Sequence, residues 1–184
     1  MNPIKRYCKE RELKNRIAGQ RNRLFRIAYS WCHDKSLSDD LTQETMSKAL
    51  NKYQNLKNPD SLNCWLYGIL ANCWRDHFRR AREMSDIDDC DFTNDETPES
   101  QYERQFITDS ILSAIEQLPI KQRQVLSLVD LEGFSYAEVA SILETPIGTV
   151  MSRLCRARKA LTHDLLDLKT QSSAEQTPFL RRVK

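Results

Sequence analysis

Wherever the apolar positions of the chain have a period, it is that of a helix. "RLFRIAYSW" sets Leu24, Phe25, Ile27, Ala28 and Trp31 at helical spacing. In "SDDLTQETMSKALNKY" the stripe is Leu41, Met46, Ala49, Leu50 and Tyr53, with Ser38 placed as an N-cap. Asp39 and Asp40 then fall in the first turn, where the helix dipole favours negative charge. "NLKNPDS" is turn chemistry. "LNCWLYGILANCWRDHFRRARE" predicts a long helix that buries Leu62, Trp65, Leu66, Ile69 and Leu70 and carries Arg75, Arg79, Arg80 and Arg82 in its C-terminal half. Farther on, Ile107, Ile111, Leu112, Ile115 and Leu118 predict an amphipathic helix stopped by Pro119. Val125, Leu126, Leu128, Val129 and Leu131 predict a second, ended by Gly133. Ser135 and Glu138 form a capping box that opens a short helix with Val139, Ala140, Ile142 and Leu143. Thr145 is a cap candidate for the next helix, with Pro146 at its first position and Gly148 in its first turn. There the missing N–H costs nothing, because first-turn donors have no intrahelical partner.

These periods fall into two groups, and alternation of the strand kind is scarce. The expected fold is all-α: two small helical domains joined by a flexible acidic linker, the second a helix-turn-helix domain. The expected boundaries are 1–83, a linker over 84–106, 107–168, and a loose tail over 169–184. The linker assignment rests on charge. Met84 to Phe106 holds Asp86, Asp88, Asp89, Asp91, Asp95, Glu96, Glu99 and Glu103 against Arg104, with few apolar residues to offset the entropy of ordering. Because the whole chain is +2, everything outside that stretch is strongly basic, which suggests a polyanionic partner.

Composition narrows the function further. No run approaches the roughly 18 apolar residues of a membrane span, and "MNPIKRYCKERELKNR" has no signal-peptide core, so a cytoplasmic location and no stable membrane insertion are expected. Cys8, Cys32, Cys64, Cys73, Cys90 and Cys155 are scattered without a C-x-x-C pair and read as reduced thiols. Cys73 and His77 share a predicted helix face, but two ligands do not close a zinc site, so neither a metal nor another cofactor is expected.

The stretch "FSYAEVASILETPIGTVMSRLCRARKAL" predicts two helices meeting at a tight Glu144–Thr145 turn, a helix-turn-helix whose second helix enters a DNA major groove by its N-terminal end. The early positions of that helix are Ile147, Gly148, Thr149, Met151, Ser152 and Arg153, with Arg156, Arg158 and Lys159 extending the positive face. Gly148 lets the backbone approach closely, Thr149 and Ser152 can bond phosphates or base edges, and Arg153 can pair with guanine bidentately or hold a phosphate. The competing reading is a solvated cationic face matched to the helix C-terminus.

These residues resemble the DNA-binding end of bacterial RNA polymerase sigma factors of the extracytoplasmic-function class. "SLSDDLTQETMSKAL" resembles the family segment that docks on the polymerase clamp helices, and "NCWLYGILANCWRDHFRR" its promoter-melting helix. The resemblance runs from about Arg21 to Leu168. It implies that Asp39, Asp40, Gln43 and Glu44 bind core polymerase. It implies that Lys57, Asn58, Asp60 and Ser61 lie in a loop that captures a flipped base of the melted downstream element, though the same residues suit an ordinary polar connection. Asn72, Arg75, Arg79 and Arg80 match the promoter-contacting helix, and one or two of Trp65, Tyr67, Trp74 and Phe78 could stack on unpaired bases. Upstream contacts fall to Thr145, Pro146, Gly148, Thr149, Met151, Ser152, Arg153 and Arg156.

The chain departs from the family pattern twice. Glu144 stands where glycine is common, so it either takes a right-handed conformation or bears a left-handed penalty. Met151 stands where lysine is common. The expected partners are core RNA polymerase, promoter DNA both double-stranded and melted, and an anti-sigma factor. The rival class is a stand-alone helix-turn-helix regulator. An enzyme is not expected, because no carboxylate–metal cluster or nucleophile–base pair emerges.

Overall fold

The structure is a computed structural model that describes residues 3–56, 58–84 and 113–175. Its elements are α1 (Pro3–Ala18), α2 (Arg21–Cys32), α3 (Lys35–Lys52), two 3-10 turns (Tyr53–Asn55 and Pro59–Ser61) and α4 (Leu62–Met84). After them come α5 (residues 113–117), α6 (Ile120–Leu126) running into a π-helical turn (Ser127–Leu131), α7 (Tyr136–Leu143) and α8 (Ile147–Glu175). Among the described residues there is no strand, and the all-α class holds. The acidic stretch expected to be a flexible linker lies outside the described residues apart from Met84, as do Ile107, Ile111 and Leu112.

In the first half, α2, α3 and α4 pack around Leu24, Ile27, Ala28, Trp31, Leu41, Ala49, Leu62, Leu66 and Leu70, all essentially inaccessible. α1, which no apolar period announced, adds the buried Ile17 and packs on α3. Three expectations for this half change. The cap of α3 is Asp34, whose carboxylate accepts the Leu37 N–H at 3.0 Å, so Ser38 is inside the helix and Asp39 and Asp40 lie beyond its first turn. Leu50 leaves the predicted stripe and is 38% exposed. Ser38, Thr42 and Thr45 are buried in the core instead, each hydroxyl donating to the carbonyl four residues back, which removes the cost of burying it. Trp65 and Ile69, expected in the core of α4, are half-buried at its edge.

In the second half, α6, α7 and α8 enclose Val125, Leu128, Val139, Ile142, Val150, Leu154 and Ala157. Gly133, at φ +76°, turns the chain out of the π-helical segment, a conformation only glycine adopts without strain. α8 runs to Glu175, so the loose tail expected from residue 169 is helical over its first turns; residues 176–184 lie outside the described set.

The two halves share one continuous core. α7 lies on α4 and α6 on α2. The Trp31 indole N–H donates to the buried Ser127 hydroxyl at 2.8 Å, and Phe134 meets Tyr67 edge-on at 5.1 Å.

Candidate nucleic-acid interface

The helix-turn-helix is built from local chemistry. Ser135 caps α7: its hydroxyl accepts the Glu138 N–H, while the Glu138 carboxylate takes the Ser135 N–H at 2.8 Å. The two Ser135 hydrogen bonds hold the Glu138 carboxyl below its ordinary range. α7 ends at Glu144, which adopts the left-handed conformation (φ 52°, ψ 48°) at a cost of about 1–2 kcal/mol relative to glycine. Of the two conformations open to it, the turn imposes the left-handed one. The Thr145 N–H then reaches the Ala140 carbonyl at 3.0 Å and closes the turn. The cap of α8 shifts by one residue. The Thr145 hydroxyl donates backward to Leu143, and the Pro146 carbonyl accepts from Thr149 and Val150.

This start fixes which faces of α8 are free. Val150, Leu154 and Ala157 point inward. Ile147, Gly148, Met151, Ser152 and Arg156 are exposed, and Thr149 and Arg153 are half-buried beside them. A Cβ at Gly148 would meet nothing within 4 Å, so packing within the chain does not require glycine there. Ser152 donates to the Thr149 carbonyl, leaving its hydroxyl free to accept. Arg158 is turned back from this face, bridging to Asp130 at 2.5 Å.

On α4, Asn72, Arg75, Arg79 and Arg80 are exposed on one side. Arg75 donates to Glu144 of the helix-turn-helix turn at 2.8 Å and to the Asn72 side-chain oxygen. The hydrogen bond to Glu144 raises the Arg75 pKa, and the same bond holds the Glu144 carboxyl low. Arg79 pairs with Asp76 at 3.1 Å. Asn72, Arg75 and Arg79 line a groove whose opposite wall is Lys48 and Lys52 of α3, with Asp76 as its only acid among these lining residues. Lys48 and Lys52 were not singled out from sequence; the signal was there, two lysines one helical turn apart on the helix that packs against α4.

The connection before α4 is structured. The Asn58 side chain accepts the Asp60 N–H at 3.0 Å, and the Ser61 hydroxyl donates to the Asn58 carbonyl at 2.8 Å. Asn58 and Ser61 thus hold the turn, while Asp60 is exposed. Lys57 lies outside the described residues. Of the aromatics, Tyr67 and Trp74 are buried, and Trp65 and Phe78 sit at the edge of α4. Burial, followed by the Glu132 carboxylate, drives the Tyr67 phenol far upward, so it stays protonated.

On α3, Asp39 bridges to Arg21 at 2.5 Å and accepts from Gln43 at 2.7 Å, and Glu44 pairs with Lys48 at 2.8 Å. Asp40 is exposed, and with Asp39, Phe25, Asn22 and Lys35 it lines a second groove. Cys73 is buried and His77 exposed, so the two do not face a common site. Among the described residues no helix is long and apolar enough to cross a membrane.

Two groups of cations on two halves now match two family regions. The Sigma-70 region 2 model matches residues 17–84, and the Sigma-70, region 4 model matches residues 108–161. The RNA polymerase sigma-H factor of Pseudomonas aeruginosa is 31% identical over 159 residues, covering 80% of this chain and 82% of that protein. The ECF RNA polymerase sigma factor EcfG of Rhodopseudomonas palustris is 34% identical over 142 residues, covering 76% of each. The chain belongs to the ECF RNA polymerase sigma factors. Its function is promoter-specific initiation of transcription by RNA polymerase, and the stand-alone regulator is not favoured, because both sigma regions stand in order in one chain. Among solved structures, the chain resembles the sigma factor RpoE in complex with the anti-sigma factor NepR from Bartonella quintana, with a TM-score of 0.71 and 30% identity over 84% of this chain and 96% of that one. It also resembles CnrH in complex with the cytosolic domain of CnrY, with a TM-score of 0.58 and 25% identity over 86% and 89%.

Proposed function

We propose that the promoter is read by two separate surfaces of this sigma factor. The outer face of α8, with Thr145, Pro146, Gly148, Thr149, Met151, Ser152, Arg153 and Arg156, takes the duplex of the upstream element. Arg153 and Arg156 supply charge to phosphates or guanine edges. The groove between α3 and α4, with Lys48, Lys52, Asn72, Arg75 and Arg79, and Arg80 beside it, takes the phosphate backbone of the melted downstream element, and the turn at Asn58, Asp60 and Ser61 lies at the start of that helix. Trp65 and Phe78, at the edge of α4, are the aromatics available for stacking on unpaired bases. Core polymerase docks on Asp39, Asp40, Gln43 and Glu44. The polymerase makes the bonds, and no group in this chain is assigned catalytic work. The resemblance to two sigma–anti-sigma complexes supports an anti-sigma partner, and work with polymerase on promoter DNA supports a cytoplasmic location.

The observation that carries this reading is the α3–α4 groove, which sets four cations against Asp76 on the helix that resembles the family's melting helix. The experiment is co-purification with core RNA polymerase, followed by run-off transcription from a promoter library. The reading requires a stable complex and transcripts from a defined promoter class. A chain that binds DNA but neither joins core polymerase nor supports transcription overturns it.

A further inference from the structure

We propose that Ile147 and Met151 set part of the promoter specificity of this chain, each reading the 5-methyl group of a thymine in the upstream element, with the two thymines within about two base-pair steps of each other. This rests on the assignment of the outer face of α8 to upstream duplex given above.

That face has two unlike edges. At about 3.6 residues per turn, Ile147, Met151 and Cys155 run up one edge and Thr149, Arg153 and Arg156 up the other, with Gly148 and Ser152 between them. Ile147 is 49% and Met151 52% exposed, and Cys155 is exposed as well. Internal packing does not call for these side chains, since Val150, Leu154 and Ala157 form the buried stripe of α8. A single apolar residue in water is ordinary, whereas a file of them along one edge of a helix marks a contact.

The chemistry of the edge selects what it touches. Ile147 has no polar side-chain atom and Met151 only a weak thioether acceptor, so neither holds a phosphate or pairs with guanine. On the base edges of the major groove the apolar group is the thymine methyl. Packing it against an aliphatic side chain removes both from water. Ile147 and Met151 lie four residues apart, about 6 Å along α8, while base pairs stack about 3.4 Å apart. Gly148 sets the depth: a Cβ there would meet nothing within 4 Å, so its bare backbone leaves room on the outside for α8 to sit close to the groove floor, where the short Ile147 side chain reaches. The second edge argues for DNA over an apolar protein. Arg156 is exposed and Arg153 half-buried, and neither is ion-paired among the described residues. A narrow apolar file bordered by uncommitted arginines fits a polyanion that presents methyl groups.

The test starts from holoenzyme reconstituted with core polymerase, which selects duplexes from a library randomised over the upstream element. The selected duplex is remade with deoxyuridine replacing each thymidine in turn, a change that removes the methyl and keeps every hydrogen-bonding group. For the wild type, two positions should each lose about fourfold in affinity, the loss for one buried methyl. Met151→Ala should make one of these positions indifferent to the methyl and Ile147→Ala the other, with far-UV circular dichroism unchanged in both. Met151→Lys should abolish the same preference as Met151→Ala and steepen the log–log salt slope by roughly 0.9. Deoxyuridine tolerated at every position, or methyl sensitivity that survives in both alanine variants, overturns the inference. So does weakened co-purification of the alanine variants with core polymerase in the absence of a methyl effect, which would make this edge a protein contact. If Arg153→Ala loses binding while deoxyuridine is tolerated throughout, the methyl readout falls and α8 stays on DNA. If Arg153→Ala, Met151→Ala and Ile147→Ala all bind the selected duplex as the wild type does, α8 is removed from the upstream element altogether.

Discussion

α4 and α8 are both long helices with arginines on an outer face, yet they hold those arginines differently. On α4, Arg75 is engaged with Glu144 and Asn72 and Arg79 with Asp76, and across the groove Lys48 of α3 pairs with Glu44, while Arg80 has no ion-pair partner among the described residues. On α8, Arg153 and Arg156 have no ion-pair partner among the described residues, and only the more distal Arg158 is tied down, to Asp130. A surface with uncommitted cations can meet DNA as it stands. A surface whose cations are already paired must exchange one anion for another, and the gain on binding is a difference. On the proposed reading, the outer face of α8 is therefore pre-organised for upstream duplex, and binding in the α3–α4 groove is conditional on rearrangement.

The largest effects separate buried from exposed positions on the two helices. Leu70 is fully buried in α4, and Leu70→Ala should destabilise the protein by about 2–5 kcal/mol in urea unfolding. Met151 is 52% exposed on α8, and Met151→Ala should stay within about 0.5 kcal/mol. Equal losses would mean that the outer face of α8 is packed against something.

Next come the arginines. Arg153→Ala should cost about 1–3 kcal/mol of upstream duplex binding and relax preference at one base pair if Arg153 reads guanine. If it holds phosphate, the loss should be uniform across sequences and the log–log salt slope should fall by about 0.9. Arg75→Ala should cost less in the free chain, because Glu144 already competes for that guanidinium. A larger loss at Arg75 than at Arg153 would reverse the comparison.

Docking comes third. Asp40→Ala combined with Gln43→Ala should weaken the complex with core polymerase while the thermal transition is kept, since both side chains are exposed. Unchanged co-purification would move the docking surface elsewhere.

The smallest effect is that of pH on the contact between the two halves. His33, left-handed at the end of α2, is half-buried; burial, then the nearby Arg123, lowers its pKa, while Glu116 opposes the shift. The unfolded chain therefore takes up this proton first. The stability that depends on neutral His33 is present above about pH 6.5 and is lost on acidification through that range. Glu138 follows at lower pH: its depressed carboxyl contributes stability above the unfolded carboxylate range and loses it below. His33→Gln should flatten the first loss and leave the second.

Legibility followed locality. Ser135, Glu138 and Gly133 announced their roles because caps and turns are set by a few adjacent residues. The left-handed Glu144 was one of two conformations its turn allowed. Ser38 read as a cap and Thr42 and Thr45 gave no signal of burial, because residue type hides a bond to the same helix's backbone. The groove was half legible: the arginines of α4 stood out, but Lys48 and Lys52 gained meaning only when α3 packed beside them. The contact between the two halves was not legible at all. Trp31 and Ser127, or Arg23 and Glu132, leave no periodic trace across so long a stretch of chain, and nothing in Arg123 as a residue type says that it donates to the Trp31 carbonyl.

The central claim is a division of labour, with α8 reading upstream duplex and the α3–α4 groove holding melted downstream strand. Permanganate footprinting of unpaired thymines, on holoenzyme reconstituted with core polymerase, tests it most directly. Arg79→Ala should leave upstream protection in place and reduce downstream thymine reactivity. Arg153→Ala should weaken upstream protection, and once promoter occupancy is restored with excess holoenzyme, melting should return. Normal melting by Arg79→Ala, or a melting defect in Arg153→Ala that persists at full occupancy, would contradict the account.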